Sequence, residues 1–279
     1  MIKNLILSGG STKGFSFIGI FKALYELNLI KDIRKLICTS IGALMGLSLV
    51  CKYVPEEMED IIINMDIGNL LKIRYQNLEN FINNYGLIDT KKLIYEIENV
   101  IFKKTNKHKI SFKDFYNYSK IEFNVTILCL NDMSVLYCNH INTPDFIVSN
   151  TIATSISIPL IFKPTVIDNK YYIDAGILNN FPISILDNSE YNESLLIKFK
   201  DTKNNINNLF DYLYMIIKSN IMNSHYHKKM YNKFPKNKIL EIDTMGVKIF
   251  DLALTKDTKI KLIENGYKEG LQYLKKKLS

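Results

Sequence analysis

The feature that most constrains this chain is a unit that occurs twice near its start: a short apolar run, a tight turn of small residues, then a helix. Asn4 to Ser8 closes on Gly9 and Gly10, and helical spacing follows from Phe15 to Leu27. Leu36 to Cys38 passes through Thr39 and Ser40 into Ile41 to Cys51, which is apolar on nearly all sides, as a buried helix is. Strands this short and this apolar have no polar face to turn to water, so they belong inside a largely parallel sheet covered on both sides.

Later segments keep the alternation. Pro55 followed by Glu56 and Glu57 opens a helix, Thr90 begins another, and residues 66–89 between them read as a loop-rich cover. Ile121 to Leu130 and Met133 to Cys138 flank an Asn131-Asp132 turn as a hairpin, followed by a helix from Asp145 to about Ser157. Lys170 to Ile173 is a strand ending at Asp174, and Ser194 to Phe199 is one more core strand. Helices are expected over Asn208 to Ile221 and Lys256 to Lys277. The fold class is α/β, a three-layer α/β/α sandwich around a mostly parallel central sheet, with 1–279 as a single domain.

With 279 residues, 47% hydrophobic and 23% charged, the chain can bury one sizeable core. Its four cysteines lack zinc-ligand spacing and are too sparse for a disulfide framework, which fits a reducing, intracellular compartment. The opening MIKNLILSGG is too short in apolar length for a secretory signal, and no stretch reaches the roughly 18 apolar residues of a membrane span. A net charge of +8 favours anionic partners, either nucleic acid or an acidic membrane surface. No nucleic-acid-binding motif or tight basic, aromatic-interleaved patch appears, so no nucleic-acid partner is expected.

Three clusters carry chemistry. The first, Gly9-Gly10-Ser11-Thr12-Lys13-Gly14, lies between a strand and a helix, where free backbone N–H groups converge on an anion. It is not a nucleotide P-loop, because Phe15 and Ser16 follow its last glycine. A dinucleotide fingerprint also fails, since Ser11 holds the middle glycine position and no acidic residue ends the next strand. The second, Cys38-Thr39-Ser40-Ile41-Gly42, has the spacing of a nucleophile elbow, with Cys38 for the first glycine. The third, Asp174-Ala175-Gly176, puts a carboxylate at a strand end ahead of Asn179-Asn180-Phe181-Pro182.

A serine nucleophile needs a base. The histidines are His108, His140, His225 and His227, none in an apolar strand-end setting. A Ser-His-Asp triad of the α/β-hydrolase kind remains the alternative, although Ser40 follows only two strands.

Taken together and in this order, LSGGSTKGFSFIGIFKAL, CTSIGA, SISIPLIFKP and DAGILNNFP resemble the patatin-like phospholipases over residues 4–182, with residues 183–279 expected to pack onto that core. The resemblance implies a lipid acyl hydrolase, phospholipase A-like, with Ser40 as nucleophile and Asp174 as proton acceptor. It also implies an oxyanion hole from Gly9, Gly10, Ser11, Thr12, Lys13 and Gly14, Ser11 standing where the family usually has glycine. The elbow residues are then Cys38, Thr39, Ile41 and Gly42, and Ala175 and Gly176 complete the aspartate motif. Thr154 to Pro164 resembles the stretch that packs beside the site and supplies no chemistry of its own. The expected substrate is a glycerophospholipid or other acyl lipid, met by a cytoplasmic protein at an anionic membrane surface, with no metal and no cofactor. A catalytically inactive lipid-binding protein of the same fold is the other reading.

Overall fold

The computed structural model describes residues 1–65, 81, 83–200, 206–207, 211–212, 215–216, 219, 232–248, 251 and 253–278. Strand β1 (Asn4–Leu7) is buried along its whole length, as a central parallel strand must be. A 3-10 turn (Ser11–Phe15) then leads into α1 (Ser16–Glu26). The second unit is β2 (Lys35–Thr39) and α2 (Ile41–Val50), joined through Ser40 alone. Helix α3 (Pro55–Asn64) starts with proline, and the Glu57 carboxylate accepts the Val54 N–H at 3.0 Å. Its far end is closed by Lys259, a buried lysine whose Nζ donates to the carbonyls of Ile62 and Met65 at 2.9 and 2.6 Å.

The middle of the chain adds β3 (Gly86–Ile88), α4 (Lys91–Thr105), α5 (Phe112–Ser119), β4 (Glu122–Cys129), β5 (Ser134–Cys138) and α6 (Val148–Ile156). Then come β6 (Leu160–Phe162), β7 (Thr165–Ile167), β8 (Lys170–Asp174), β9 (Ser194–Phe199), β10 (Ile239–Ile242) and α7 (Lys256–Leu278). The main sheet runs β10-β9-β1-β2-β4-β8-β7, with β5 also paired to β4. It is parallel from β10 to β4 and antiparallel at β5, β8 and β7. The expected hairpin is β4–β5, and the helix expected over 145–157 is α6. The pair β3–β6, parallel and separate from the main sheet, was not anticipated.

Period-two alternation sorts the core. Leu5, Leu7, Leu36, Cys38, Leu195 and Ile197 face the large core with α1, α2 and α6, while Ile6, Ile37 and Leu196 face the other side. That second side is covered, among the described residues, by 3-10 turns at Ile183–Ile185 and Asn188–Glu193 and by Phe234. The expected helix over 208–221 lies largely outside the described residues, as does most of the expected cover over 66–89. No helix among the described residues is long and apolar enough to cross a membrane.

Candidate active site

The turn at Ser40 is forced by two glycines and a cysteine. A Cβ on Gly42 would meet the Leu7 carbonyl oxygen at 2.5 Å, so only glycine lets α2 rise this close to β1. Cys38 is fully buried, and Gly46, one turn further along α2, leaves room for its sulfur, which a Cβ there would meet at 2.8 Å. Ser40 itself takes φ 54° and ψ −126°, a conformation that costs a non-glycine residue about 1–3 kcal/mol. The Thr39 hydroxyl bonds the Thr126 hydroxyl at 2.8 Å, the Ser40 N–H donates to Ser155 Oγ at 2.9 Å, and the Ala43 N–H reaches the Ser40 carbonyl at 2.8 Å. These contacts hold the serine at the first turn of α2, where the helix dipole favours negative charge.

Strand register brings the aspartate to the same point. β4 has two edges, and β5 occupies one of them over Val125–Cys129. Along the other edge β2 pairs up to Thr39 with Thr126, and the next residue, Ile127, pairs with Asp174 of β8. β2 and β8 therefore meet end to end on β4, and the chain leaves β2 at Ser40 where Asp174 arrives. The Asp174 N–H donates to the Ser157 carbonyl at 3.0 Å, and its carboxylate accepts the Gly176 N–H at 2.7 Å. Burial pushes the Asp174 carboxyl up to about 6, against the downward pull of its hydrogen bonds with the Ser40 side chain and the Gly176 N–H. A group so tuned is uncharged in mild acid and ionised at neutral pH, as a general base needs to be.

The glycine loop closes the third side. Gly9 sits so near the serine that a Cβ on it would lie 3.1 Å from Ser40 Cβ and 2.5 Å from Asn180 Oδ1. Its N–H donates to that Asn180 oxygen at 2.9 Å, and Asn180 Nδ2 donates back to the Gly9 carbonyl at 3.4 Å. Among the described residues the N–H groups of Gly10 and Ser11 have no protein partner, and Ser11 adopts the left-handed φ of 55°. Thr12 is tied to the Asp251 carbonyl at 2.9 Å, Lys13 is buried, and Gly14 lies against Ile41, whose side chain a Cβ would meet at 2.4 Å.

The residues singled out from the sequence thus converge at the C-terminal ends of β1, β2 and β8. The histidines do not join them: His108 stacks on Phe102 and lies 3.7 Å from Glu98, while His140 stacks on Tyr116. His225 and His227 lie outside the described residues. No group of three or more residues that could hold a metal occurs among the described residues, and the four thiols are free and buried. Sequence reading left Ser155 and Asn180 without a role. Their signal was indirect: a serine on a buried helix and an asparagine just past the aspartate motif, in a place where a sharp turn strands backbone N–H groups.

Comparisons with known proteins identify the family and the fold. A family model, "Patatin-like phospholipase", matches residues 5–187. The chain is 30% identical to an uncharacterized protein of Acanthamoeba polyphaga mimivirus over 226 residues, 76% of this chain and 73% of that one. It is 33% identical to "Probable lipid hydrolase 463L" of Invertebrate iridescent virus 6 over 191 residues, 66% of this chain and 62% of that protein. In fold it is similar to VipD from Legionella pneumophila, at TM-score 0.65 and 18% identity, over 99% of this chain and 67% of the other. Full-length ExoU of Pseudomonas aeruginosa, in complex with SpcU, matches at TM-score 0.59 and 16% identity, over 100% of this chain and 53% of the other. With four motif segments in order, a mostly parallel sheet flanked by helices and a family match over well over half its length, this chain belongs to the patatin-like phospholipase family.

Proposed function

We propose that the chain is a phospholipase A-like serine hydrolase that cleaves glycerolipid ester bonds with a Ser40–Asp174 dyad and no histidine. The Ser40 hydroxyl adds to the acyl carbonyl as its proton passes to Asp174, and the carbonyl oxygen becomes an oxyanion. That charge is taken by backbone N–H groups of the Gly9–Gly14 loop, with Gly10 and Ser11 as donors because the Gly9 N–H is engaged by Asn180. Collapse breaks the C–O ester bond, the alcohol leaves with the proton from Asp174, and an acyl-serine remains. Water, deprotonated by Asp174, then attacks the acyl-serine, and the fatty acid departs as the proton returns to Ser40.

The observation that carries this reading is the end-to-end meeting of β2 and β8 on β4, which sets a strained serine beside a buried carboxylate with a pKa of about 6. The substrate is an acyl lipid, as the family implies, and phospholipid is favoured over neutral lipid by the chain's charge of +8. The test is a panel of phospholipids and triacylglycerols, with products read by mass spectrometry, for the wild type and Ser40→Ala in the presence of a chelator. Release of fatty acid and lysophospholipid by the wild type alone is expected. Equal release by Ser40→Ala, or loss of wild-type activity with chelator, would overturn the mechanism.

A further inference from the structure

A serine at a sharp elbow has a backbone N–H that neither element can use. β2 ends its pairing at Thr39, and the first N–H groups of α2 have no carbonyl one turn behind them. Ser40 is 4% exposed, so water is a poor substitute. The Ser155 hydroxyl, fully buried on α6, accepts this N–H at 2.9 Å. A second backbone N–H, that of Gly9, whose Cβ position lies 3.1 Å from Ser40 Cβ, is accepted by Asn180 Oδ1, also at 2.9 Å. Asn180 grips Gly9 at both its N–H and its carbonyl, so the loop after β8 is latched to the loop after β1.

We propose that Ser155 and Asn180 are positioning residues of this site, each taking a backbone N–H that borders the reacting atoms and so fixing the Ser40 hydroxyl against the free donors Gly10 and Ser11. The inference rests on the Ser40–Asp174 reading. Ser155 holds the serine in its strained conformation. Removing its hydroxyl leaves a buried N–H without a partner, and the elbow relaxes toward a conformation in which Oγ no longer faces Asp174. Asn180 holds the distance between the serine and the glycine loop. Releasing Gly9 lets the loop drift and frees a competing N–H, so the oxyanion meets a less ordered set of donors. Both effects act on the transition state more than on lipid binding, and they belong in kcat.

Asn180 has a second handle. Its Oδ1 and the Asp174 Oδ1 lie 3.3 and 3.0 Å from the point where a Cβ on Gly176 would sit, so an aspartate at 180 places a second carboxylate close to the first. Like charges in a buried site raise the pKa of the group that must ionise. Asn180→Asp keeps the acceptor for the Gly9 N–H, yet it moves the acid limb of the rate profile to higher pH.

The experiment uses the full chain and a soluble short-chain ester, so that membrane binding does not enter, together with the rate at which a fluorophosphonate labels Ser40. Expected for Ser155→Ala and Asn180→Ala are losses of about 100-fold in kcat with KM within a few-fold of wild type, and slower labelling in proportion. Asn180→Asp, which keeps the acceptor for the Gly9 N–H but gives up the donor to the Gly9 carbonyl, is expected to keep more activity than Asn180→Ala at alkaline pH. Its acid limb should lie above that of the wild type. Wild-type kcat in both alanine variants, or an unmoved acid limb in Asn180→Asp, would overturn the proposal. A wild type whose hydrolysis does not depend on Ser40 would instead overturn the dyad itself.

Discussion

At the scale of single residues, Asp174 sets the terms. Its carboxyl is raised to about 6 by burial, so the folded protein binds a proton more tightly than the unfolded chain. The contribution of Asp174 to stability is therefore fully present below the ordinary aspartate value, is lost as pH rises from there through about 6, and stays lost above it, opposite in sign to that of Glu57, Asp132 and Glu190, whose carboxyls are held low by their hydrogen bonds. Ionising the buried group costs the fold roughly 3 kcal/mol at neutral pH. Asp174→Asn is expected to raise the melting temperature at pH 7 while removing hydrolysis, and a less stable variant would contradict the assigned burial. Activity of the wild type is expected to fall as pH drops through about 6, read as kcat against pH on a soluble ester. Cys38 was legible as an odd residue in the elbow, but the room made for it by Gly46 was not, since that depends on a helix turn packing back on its own strand. Cys38→Ala is expected to stay active, whereas Cys38→Leu loses about 100-fold or more because added volume has nowhere to go. Ser155 and Asn180 stayed hidden for a related reason: partners 115 and 171 residues away in sequence satisfy backbone groups, which no local pattern records.

At the scale of elements, strands with continuous apolar runs declared themselves. β1 and β2 are where short apolar runs end in serine and glycine, because buried parallel strands have no polar face to blur the signal. β3 and β6 are three residues each, too short to show a period, and they pair across the helices and hairpin that lie between them in the chain. The C-terminal helix was legible as a helix, but not its hold on the site. α7 lies against α1 so closely that a Cβ on Gly19 would stand 1.9 Å from the Ile263 carbonyl oxygen, and one on Gly266 would stand 2.0 Å from the Ser16 carbonyl oxygen. Since α1 carries the glycine loop at its start, α7 clamps the loop from behind. Gly266→Val forces the two helices apart and is expected to cost about 3 kcal/mol or more, seen as a large drop in denaturation midpoint together with lost hydrolysis. A midpoint within error of wild type would mean that the two helices are not held at this separation.

At the scale of the whole molecule, the chain has a net charge of +8, no helix among the described residues that crosses a membrane, and a substrate class that lives in aggregates and bilayers. Each basic residue near an anionic surface contributes about 1 kcal/mol, so three suitably placed lysines raise surface residence by about two orders of magnitude. Co-sedimentation with vesicles is expected to be stronger with anionic lipid and to weaken at high salt, where the field reaches only about 3 Å at 1 M. Equal binding to neutral and anionic vesicles at every salt concentration would remove the electrostatic part and leave the chemistry standing. The central claim is that Ser40 and Asp174 work as one unit, and losses from such a unit do not add. Fatty acid release from phospholipid vesicles, measured for Ser40→Ala, Asp174→Asn, the double variant and single variants of His108, His140, His225 and His227, tests it most directly. Expected are equal, near-complete losses in the first three and near wild-type rates in the histidine variants; a histidine variant as inactive as Ser40→Ala, or an Asp174→Asn enzyme that still turns over, would contradict it.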